Sequence, residues 1–287
     1  MDTVVALTFG AFSLAMVYAA ANVGFVLLFR GTGVPNFAHG ALIALGAFIA
    51  SSWAGPEHYW AGLIAMMLAM GAIGVICYYV LMRWLFGVGE LYKVVVTFLL
   101  SAILINLVLL IWGTDDRAAP VVTRATIDLL GARIPVQTII SSAIVLLAAI
   151  VVLGATGKTM LGKRMEAVAT DEVLAAYRGI RVHVIGAATW AMAAMLAGLA
   201  GLLYSQGATV SLGLADLVLL AFPAVAIGGL QNIKGAVIAS VALAGMLTIA
   251  QYHFGSIVAG VACWAALLAC LLYFPQGLFG TRQMGRL

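Results

Sequence analysis

The polar residues that could do chemistry in this chain are few, and their spacing does not assemble a catalytic set. The segment GATGKT at 154–159 resembles a phosphate-binding loop, but that loop needs a glycine where Val152 stands and a strand before it. An apolar run precedes it instead. Catalysis would need a convergent nucleophile, base or metal set. The sequence supplies none, so it predicts no enzyme, no ATP binding, no cofactor and no metal.

Two polar residues follow the first apolar run and are candidates for a substrate path. Gly31, Gly33 and Pro35 are expected to break the first helix, and Asn36 can cap a new one. Asn36 and His39 would then lie about one turn apart on the same face. Broken helices with polar ends often line the path of a transporter. A tight turn with ordinary interhelical hydrogen bonds is the alternative.

Another polar candidate lies inside an apolar run. Asn106 is one of the few polar residues in the middle of a predicted span. No Asp or Glu is predicted at such a position. Ion-coupled transporters usually keep an ionisable residue there. The sequence therefore argues against a proton symporter and leaves Asn36, His39 and Asn106 as candidate path residues.

The elements around these residues must be membrane helices. The chain has 287 residues, of which 65% are hydrophobic and only 8% are charged. A soluble domain carries about 25% charged residues. The apolar runs are continuous and about 20 residues long, which predicts spanning helices and not barrel strands. The net charge of +4 comes from residues at the ends of these runs and does not indicate nucleic-acid binding.

We predict an all-α polytopic membrane protein, a single transmembrane domain over 1–287 with about eight or nine spans. The candidate spans are roughly 4–29, 37–54, 59–86, 91–112, 135–154, 184–206, 214–231, 235–253 and 256–274. The spans 37–54 and 214–231 are short and interrupted by glycine, so either is a candidate for a broken or re-entrant helix.

Charge predicts the orientation. With the N-terminus outside and the C-terminus in the cytoplasm, the outer loops hold only Arg117, Arg124 and Arg133. The other 11 of the 14 Lys and Arg residues then fall inside, as the positive-inside rule requires. The polar loop 113–134 would lie outside, as a short hairpin or a plain connection.

The longest charged segment, 154–183, is expected to lie in the cytoplasm. Asp171 or Thr170 can cap a short helix at about 171–178, and Gly179 can end it in the left-handed conformation. Leu174 and Tyr177 would share one face of that helix. They could insert into a groove on a partner protein. A helix lying on anionic membrane lipid is the alternative.

Three pieces of the chain together resemble one family. NFAHGALIALGAFIA at 36–50, RMEAVATDEVLAAYRGIRVHVIG at 164–186 and FPAVAIGGLQNIKGAVIAS at 222–240 are similar to the permease subunits of branched-chain amino-acid ABC importers, in the same order. The closer similarity is to the shorter of that system's two permeases, the LivH-like subunit. The third piece departs from the family: Gln231, Asn232 and Lys234 stand where members commonly have Gly-Ser and Pro. The departure concerns the solute more than the fold, because urea, amide and aromatic-acid importers share this type of permease.

The resemblance implies a bacterial inner-membrane permease that pairs with a second, homologous permease. It also implies two cytoplasmic ABC ATPases, which carry the ATP hydrolysis, and a periplasmic solute-binding protein. It implies a cytoplasmic coupling loop at 155–182. The candidate coupling residues in that loop are Arg164, Glu166, Asp171, Leu174, Tyr177 and Gly179. A stand-alone channel or facilitator for a small neutral solute is the alternative function.

Overall fold

Helices account for nearly all of the regular structure in this chain. The structure, a computed structural model, describes residues 2–53, 56–129, 132–157, 159–274 and 276–280. The helices are α1 (Asp2–Thr32), α2 (His39–Trp53), α3 (Tyr59–Val80), α4 (Glu90–Trp112), α5 (Val136–Gly157), α6 (Met160–Thr170), α7 (Glu172–Tyr177), α8 (Val182–Ser205), α9 (Leu217–Gly228) and α10 (Ile233–Tyr273). Two strands, β1 (Thr126–Leu129) and β2 (Ala132–Pro135), pair as an antiparallel hairpin. The prediction of a polytopic helical membrane protein is confirmed, and the hairpin lies in the loop where one was expected.

Six helices among the described residues are long and apolar enough to cross a membrane: α1, α3, α4, α5, α8 and α10. The helices α2 and α9 are apolar but shorter, with 15 and 12 residues. A helix needs about 20 residues to cross the hydrocarbon layer. The predicted weak spans 37–54 and 214–231 are therefore short helices. The number of complete crossings stays a prediction.

The two ends of the bundle differ in charge. One end carries the α1–α2 connection, α6, α7 and the start of α10, and we call it the basic end. The other carries the β1–β2 hairpin, the starts of α3 and α5 and the end of α8, and we call it the hairpin end. The basic end holds Arg30, Arg83, Lys93, Lys163, Arg164, Arg178, Arg181 and Lys234, and the hairpin end holds Arg117, Arg124 and Arg133. Lys158, Arg282 and Arg286, which belong to the predicted inner set, lie outside the described residues.

The core is built around α1, α2 and α8. We compared the buried share of an 18-residue apolar stretch in each long helix. In α1 and in α8, 72% of that stretch is buried, whereas in α4 only 22% is buried. Small residues allow this packing: a side-chain carbon on Gly46 of α2 would overlap the backbone of Gly198 in α8. Close approach of this kind is how helices associate in lipid, where apolar burial alone supplies little driving force. The exposed apolar faces of α4, α5 and α10 remain for lipid or a partner subunit.

The helix α10 contains a reversal. Gly255 has φ 85° and ψ 169°, which is not helical and which glycine adopts without a side-chain clash. After α10, the backbone N–H of Leu278 donates to the Ile227 carbonyl at 2.7 Å, close to where α10 began. A straight helix of 41 residues would end roughly 60 Å from its start. The chain therefore turns back at Gly255, between the predicted spans 235–253 and 256–274.

One predicted boundary is wrong, and one helix was not predicted. The predicted span 59–86 ends too late: α3 stops at Val80, and a short 3₁₀ helix, Met82–Leu85, follows it. Hydropathy missed this end because the residues after it are also apolar. The charged segment 154–183 holds two helices and not only the predicted one. The helix α6 was missed because charged residues alternate along it with the buried Met165 and Val168.

Candidate functional site

The helices α6 and α7 form a segment folded onto the basic end (160–178), and we call it the coupling segment after the predicted coupling loop 155–182 in which it lies. The helix α6 turns Gly162, Met165 and Val168 towards the bundle. Glu166 lies 4.0 Å from the Arg30 guanidinium at the end of α1. Because the contact is long and the Glu166 side chain is 72% exposed, this ion pair contributes little stability. The buried apolar residues of α6 are what hold it against the bundle.

The local sequence explains why α7 begins and ends where it does. The Asp171 carboxylate accepts hydrogen bonds from the backbone N–H groups of Val173 and Leu174, at 3.1 and 2.9 Å. Gly179 has φ 80°, the left-handed conformation that terminates helices. The predicted cap and terminus are confirmed. Thr170, the other predicted cap, instead donates to the Glu166 carbonyl at 2.8 Å.

Glu172 joins α7 to the rest of the protein. Its carboxylate accepts hydrogen bonds from the Gly87 backbone N–H and from the Lys93 ammonium group, both at 2.7 Å. The Lys93 and Glu172 side chains are only 13% and 23% exposed. A charge-assisted contact that is shielded from water is stronger than a surface pair. Glu172 therefore ties α7 to α4 and to the connection before it, a role that sequence reasoning did not assign.

Large apolar side chains are exposed on the outward face of α7. Leu174 is 49% exposed and Tyr177 is 86% exposed. Arg164 and Arg178 are also exposed on this end. Ala175, on the opposite side of α7, is buried. The helix α7 thus exposes two large apolar residues on one side, while its opposite side packs against the bundle.

The predicted path residues Asn36 and His39 are both buried, at 2% and 0% exposure. The Asn36 amide oxygen accepts a hydrogen bond from the Ala38 N–H at 2.9 Å, so Asn36 orders the turn that precedes α2. His39 Nε2 lies 2.9 Å from the Ala21 carbonyl oxygen in α1. The structure brings Asn36 and His39 together near the break between α1 and α2.

Asn106 does not join them. It is exposed on α4, and its amide donates to the Ala102 carbonyl one turn earlier, at 2.8 Å. Asn22, which is buried, follows Ala21, the residue of α1 whose carbonyl lies beside His39. It donates to the Ala221 carbonyl at 3.1 Å and to Ser240 Oγ at 2.8 Å, and so connects α1 to α9 and α10.

A small cavity connects the coupling segment to the α1–α2 break. Its volume is about 30 Å³, and its lining includes Asn36, Trp190, Lys93 and Glu172. The Asn36 amide nitrogen and the Trp190 indole nitrogen are buried, and neither has a hydrogen-bond partner among the described residues. A polar space of this size holds about one water molecule.

A polar network at the hairpin end was not predicted. It joins Tyr59 at the start of α3, Gln137 and Ser141 in α5, and Gln206 at the end of α8. It borders a cavity of about 680 Å³ between α1, α5 and α8. One residue of this network, Gln206, could have been noticed in the sequence, because it is polar within an apolar run. Its partners were missed because they lie at the beginnings of spans, where polar residues are ordinary.

No group of three or more His, Cys, Asp or Glu residues in the described part of the chain is placed to hold a metal ion. The polar contacts at the two ends of the bundle are hydrogen bonds and ion pairs.

Comparison with known proteins identifies the family. The family model described as "Branched-chain amino acid transport system / permease component" matches residues 7–275. BraD of Pseudomonas aeruginosa, a high-affinity branched-chain amino acid transport system permease protein, is 26% identical over 285 residues, 93% of this chain and 92% of the relative. LivH of Salmonella typhimurium and LivH of Escherichia coli, with the same description, are each 24% identical over 293 residues, 96% of this chain and 95% of the relative.

No solved structure matches the chain. The family match covers nearly its whole length, and the three stretches of similarity seen in the sequence lie within the matched residues. The chain belongs to the permease components of branched-chain amino acid transport systems.

Proposed function

We propose that this protein is a permease subunit of an ATP-driven (ABC) importer that moves branched-chain amino acids, or a similar small polar solute, across the bacterial inner membrane. The observation that carries the proposal is the exposed pair Leu174 and Tyr177 on a helix fixed from behind by Asp171 and Glu172. An apolar face of this kind suits a groove on a partner protein. The names of the relatives supply the transport system and the solute class.

In this proposal the basic end faces the cytoplasm, as the positive-inside rule requires. The N-terminus then lies outside and the C-terminus inside. Two cytoplasmic ATPase subunits hydrolyse ATP, and this chain does not. A second homologous permease covers part of the exposed apolar surface, and lipid covers the rest. A periplasmic binding protein delivers the solute to the hairpin end.

The contacts of the coupling segment suggest how force is transmitted. A displacement of α7 pulls on Lys93 and Gly87 through Glu172, and so on α4. A displacement of α6 acts on the end of α1 through its buried residues and through Glu166 and Arg30. Both routes meet at the α1–α2 break, where Asn36 and His39 lie. Broken helices of this kind are where transporters commonly place their gates.

Of the predicted path residues, Asn36 and His39 serve as gate or lining residues in this scheme. The exposed position of Asn106 suits a path only if the second permease covers α4. Arg164 and Gly179 contribute to the docking surface, the first by its charge and the second by ending α7.

The experiment is co-purification and uptake with the assembled transporter. We expect the wild-type chain to co-purify with an ATPase subunit and to support ATP-dependent uptake. Leu174→Asp with Tyr177→Asp should reduce uptake by more than about tenfold, because charges on a buried hot spot cost several kcal/mol of binding. The chain should remain folded, since both side chains point away from it.

Tyr177→Phe is the matched control, and it should keep uptake because it keeps the ring. Unchanged uptake in the double Asp variant would contradict the coupling role. Uptake that needs no ATPase would instead support a facilitator.

A further inference from the structure

The cavity at the hairpin end has the size and the lining of a ligand site. Its volume of about 680 Å³ falls within the range of small-molecule sites, which is about 300–1,000 Å³. It lies between the first half of α1, the beginning of α5 and the end of α8. The segment 119–124 crosses over it. Such sites are mostly apolar with a few placed polar groups, and this cavity has both.

Its floor is a neutral hydrogen-bond network. Gln206 donates to the Tyr59 hydroxyl at 3.1 Å and to the Pro120 carbonyl at 3.2 Å, and its amide oxygen accepts from Ser141. Gln137 donates to Ser141 at 3.1 Å and accepts from the Val122 N–H at 2.7 Å. The glutamines therefore fix both the floor and the crossing segment. A buried network whose hydrogen bonds are satisfied is rigid, so this network holds the cavity open.

One hydroxyl in the lining of the cavity makes no hydrogen bond within the described part of the chain. Ser142 is 6% exposed and lines the cavity, and no hydrogen bond joins its Oγ to another described residue. Ser13 and Thr138 line the same space. Because Ser142 borders the free volume of the cavity, its hydroxyl is placed for a ligand or for water.

The charged groups in the lining are both cations. Arg124 and Arg133 lie at the cavity, and no Asp or Glu is among its described lining residues. Arg133 is partly compensated by Asp128, its cross-strand neighbour, at 3.7 Å. Arg124 has no ion-pair partner in the described part of the chain. Guanidinium groups bind carboxylates through paired hydrogen bonds, so the site suits a carboxylate ligand.

The remaining wall is apolar. Phe9, Met16 and Leu203 face the same space as Ser142. The aliphatic part of a bound ligand would displace water from these residues. Burying apolar surface in this way is favourable by roughly 25 cal/mol per Å². A charged end and an apolar wall within one cavity describe a ligand with one carboxylate and an aliphatic body.

We propose that this cavity is a solute-binding site for a small aliphatic carboxylate, with Arg124 pairing the carboxylate and Ser142 hydrogen-bonding to it. The site would select against uncharged solutes such as urea and simple amides. The choice of leucine as the ligand rests on the proposed function; the selection for a carboxylate rests on the cavity alone.

The test is labelling of Ser142→Cys in the assembled transporter by a membrane-impermeant maleimide. We expect labelling from the hairpin side. Leucine and 4-methylpentanoate, at ten times their apparent dissociation constants, should slow it roughly tenfold, because the free fraction of the site falls as 1/(1 + [L]/Kd). Leucinamide should not slow it. Arg124→Gln should abolish the protection by both carboxylates and leave the labelling in place.

Ser256→Cys, exposed just after the Gly255 turn, is the matched control. It should be labelled and never protected. Protection by leucinamide equal to that by leucine would overturn the carboxylate assignment. A Ser142→Cys that no solute protects, or that only detergent makes accessible, would show a lipid-filled space and overturn the site. ATP-dependent uptake that persists in that case would leave the proposed function standing.

Discussion

The basic end and the hairpin end of this protein use different polar chemistry. At the basic end, carboxylates meet cations, as Glu172 meets Lys93 and Glu166 meets Arg30. At the hairpin end, the buried contacts are between neutral amides and hydroxyls, around Gln137 and Gln206. The basic end is closely packed around a space of about 30 Å³, whereas the hairpin end encloses about 680 Å³.

The difference indicates a division of work. Ion pairs and close packing join the coupling segment to the helices, so that a movement of one displaces the other. Neutral networks hold a shape without an electrostatic cost when a solute enters, because the desolvation of buried charge is expensive. In the two proposals made above, a partner protein moves the basic end and a small molecule binds at the hairpin end.

The largest expected effect lies at the close-packed basic end. A side-chain carbon on Gly162 of α6 would overlap the Thr156 carbonyl at the end of α5, and backbone cannot easily move away. Gly162→Ala should therefore lower the free energy of unfolding by about 3 kcal/mol. Thermal unfolding of the purified protein in detergent measures it. Gly154→Ala is the control, since nothing lies within 4 Å of that position, and an equal loss there would show that this end is not closely packed.

A smaller loss is expected at the hairpin end. Gln206→Leu removes three hydrogen bonds and leaves the Tyr59 and Ser141 hydroxyls with fewer partners. Unsatisfied buried groups of this kind cost about 2 kcal/mol. The same unfolding measurement checks it. Gln251→Leu, on the exposed surface of α10, should have no effect. If Gln206→Leu and Gln251→Leu have the same free energy of unfolding, the network does not stabilise the hairpin end.

The smallest effect concerns α7 alone. Asp171→Ala removes the cap of a helix of only six residues and should cost about 1 kcal/mol. The loss should be local, with faster hydrogen exchange at the amides of Val173 and Leu174. Asp171→Ser should restore most of the protection because serine also caps helices. Unchanged exchange in Asp171→Ala would mean that Glu172 alone orders α7.

Several elements were predictable because their causes are local in sequence. The cap at Asp171, the end of α7 at Gly179 and the break between 253 and 256 each follow from one or two residues. Hydropathy located the long helices for the same reason, and the three stretches of family similarity agree with the match over residues 7–275.

The parts that could not be predicted depend on contacts between distant residues. Gln206 bonds Ser141 across 65 positions and Tyr59 across 147. No pattern in a single sequence pairs such residues. The same holds for Glu172 and Gly87, which are 85 positions apart. The position of Asn106 on an exposed face of α4 likewise depends on which side of the helix the bundle covers.

The central claim is that α7 docks on an ATPase subunit. Its most direct test is a photo-crosslinking amino acid at Tyr177 in the assembled transporter, with the same group at Tyr252, 56% exposed near the Gly255 turn, as the control. We expect a crosslinked product with the ATPase from position 177, with a yield that changes when nucleotide is added, and none from position 252. A transporter active in uptake that gives no ATPase crosslink from position 177 would contradict the account.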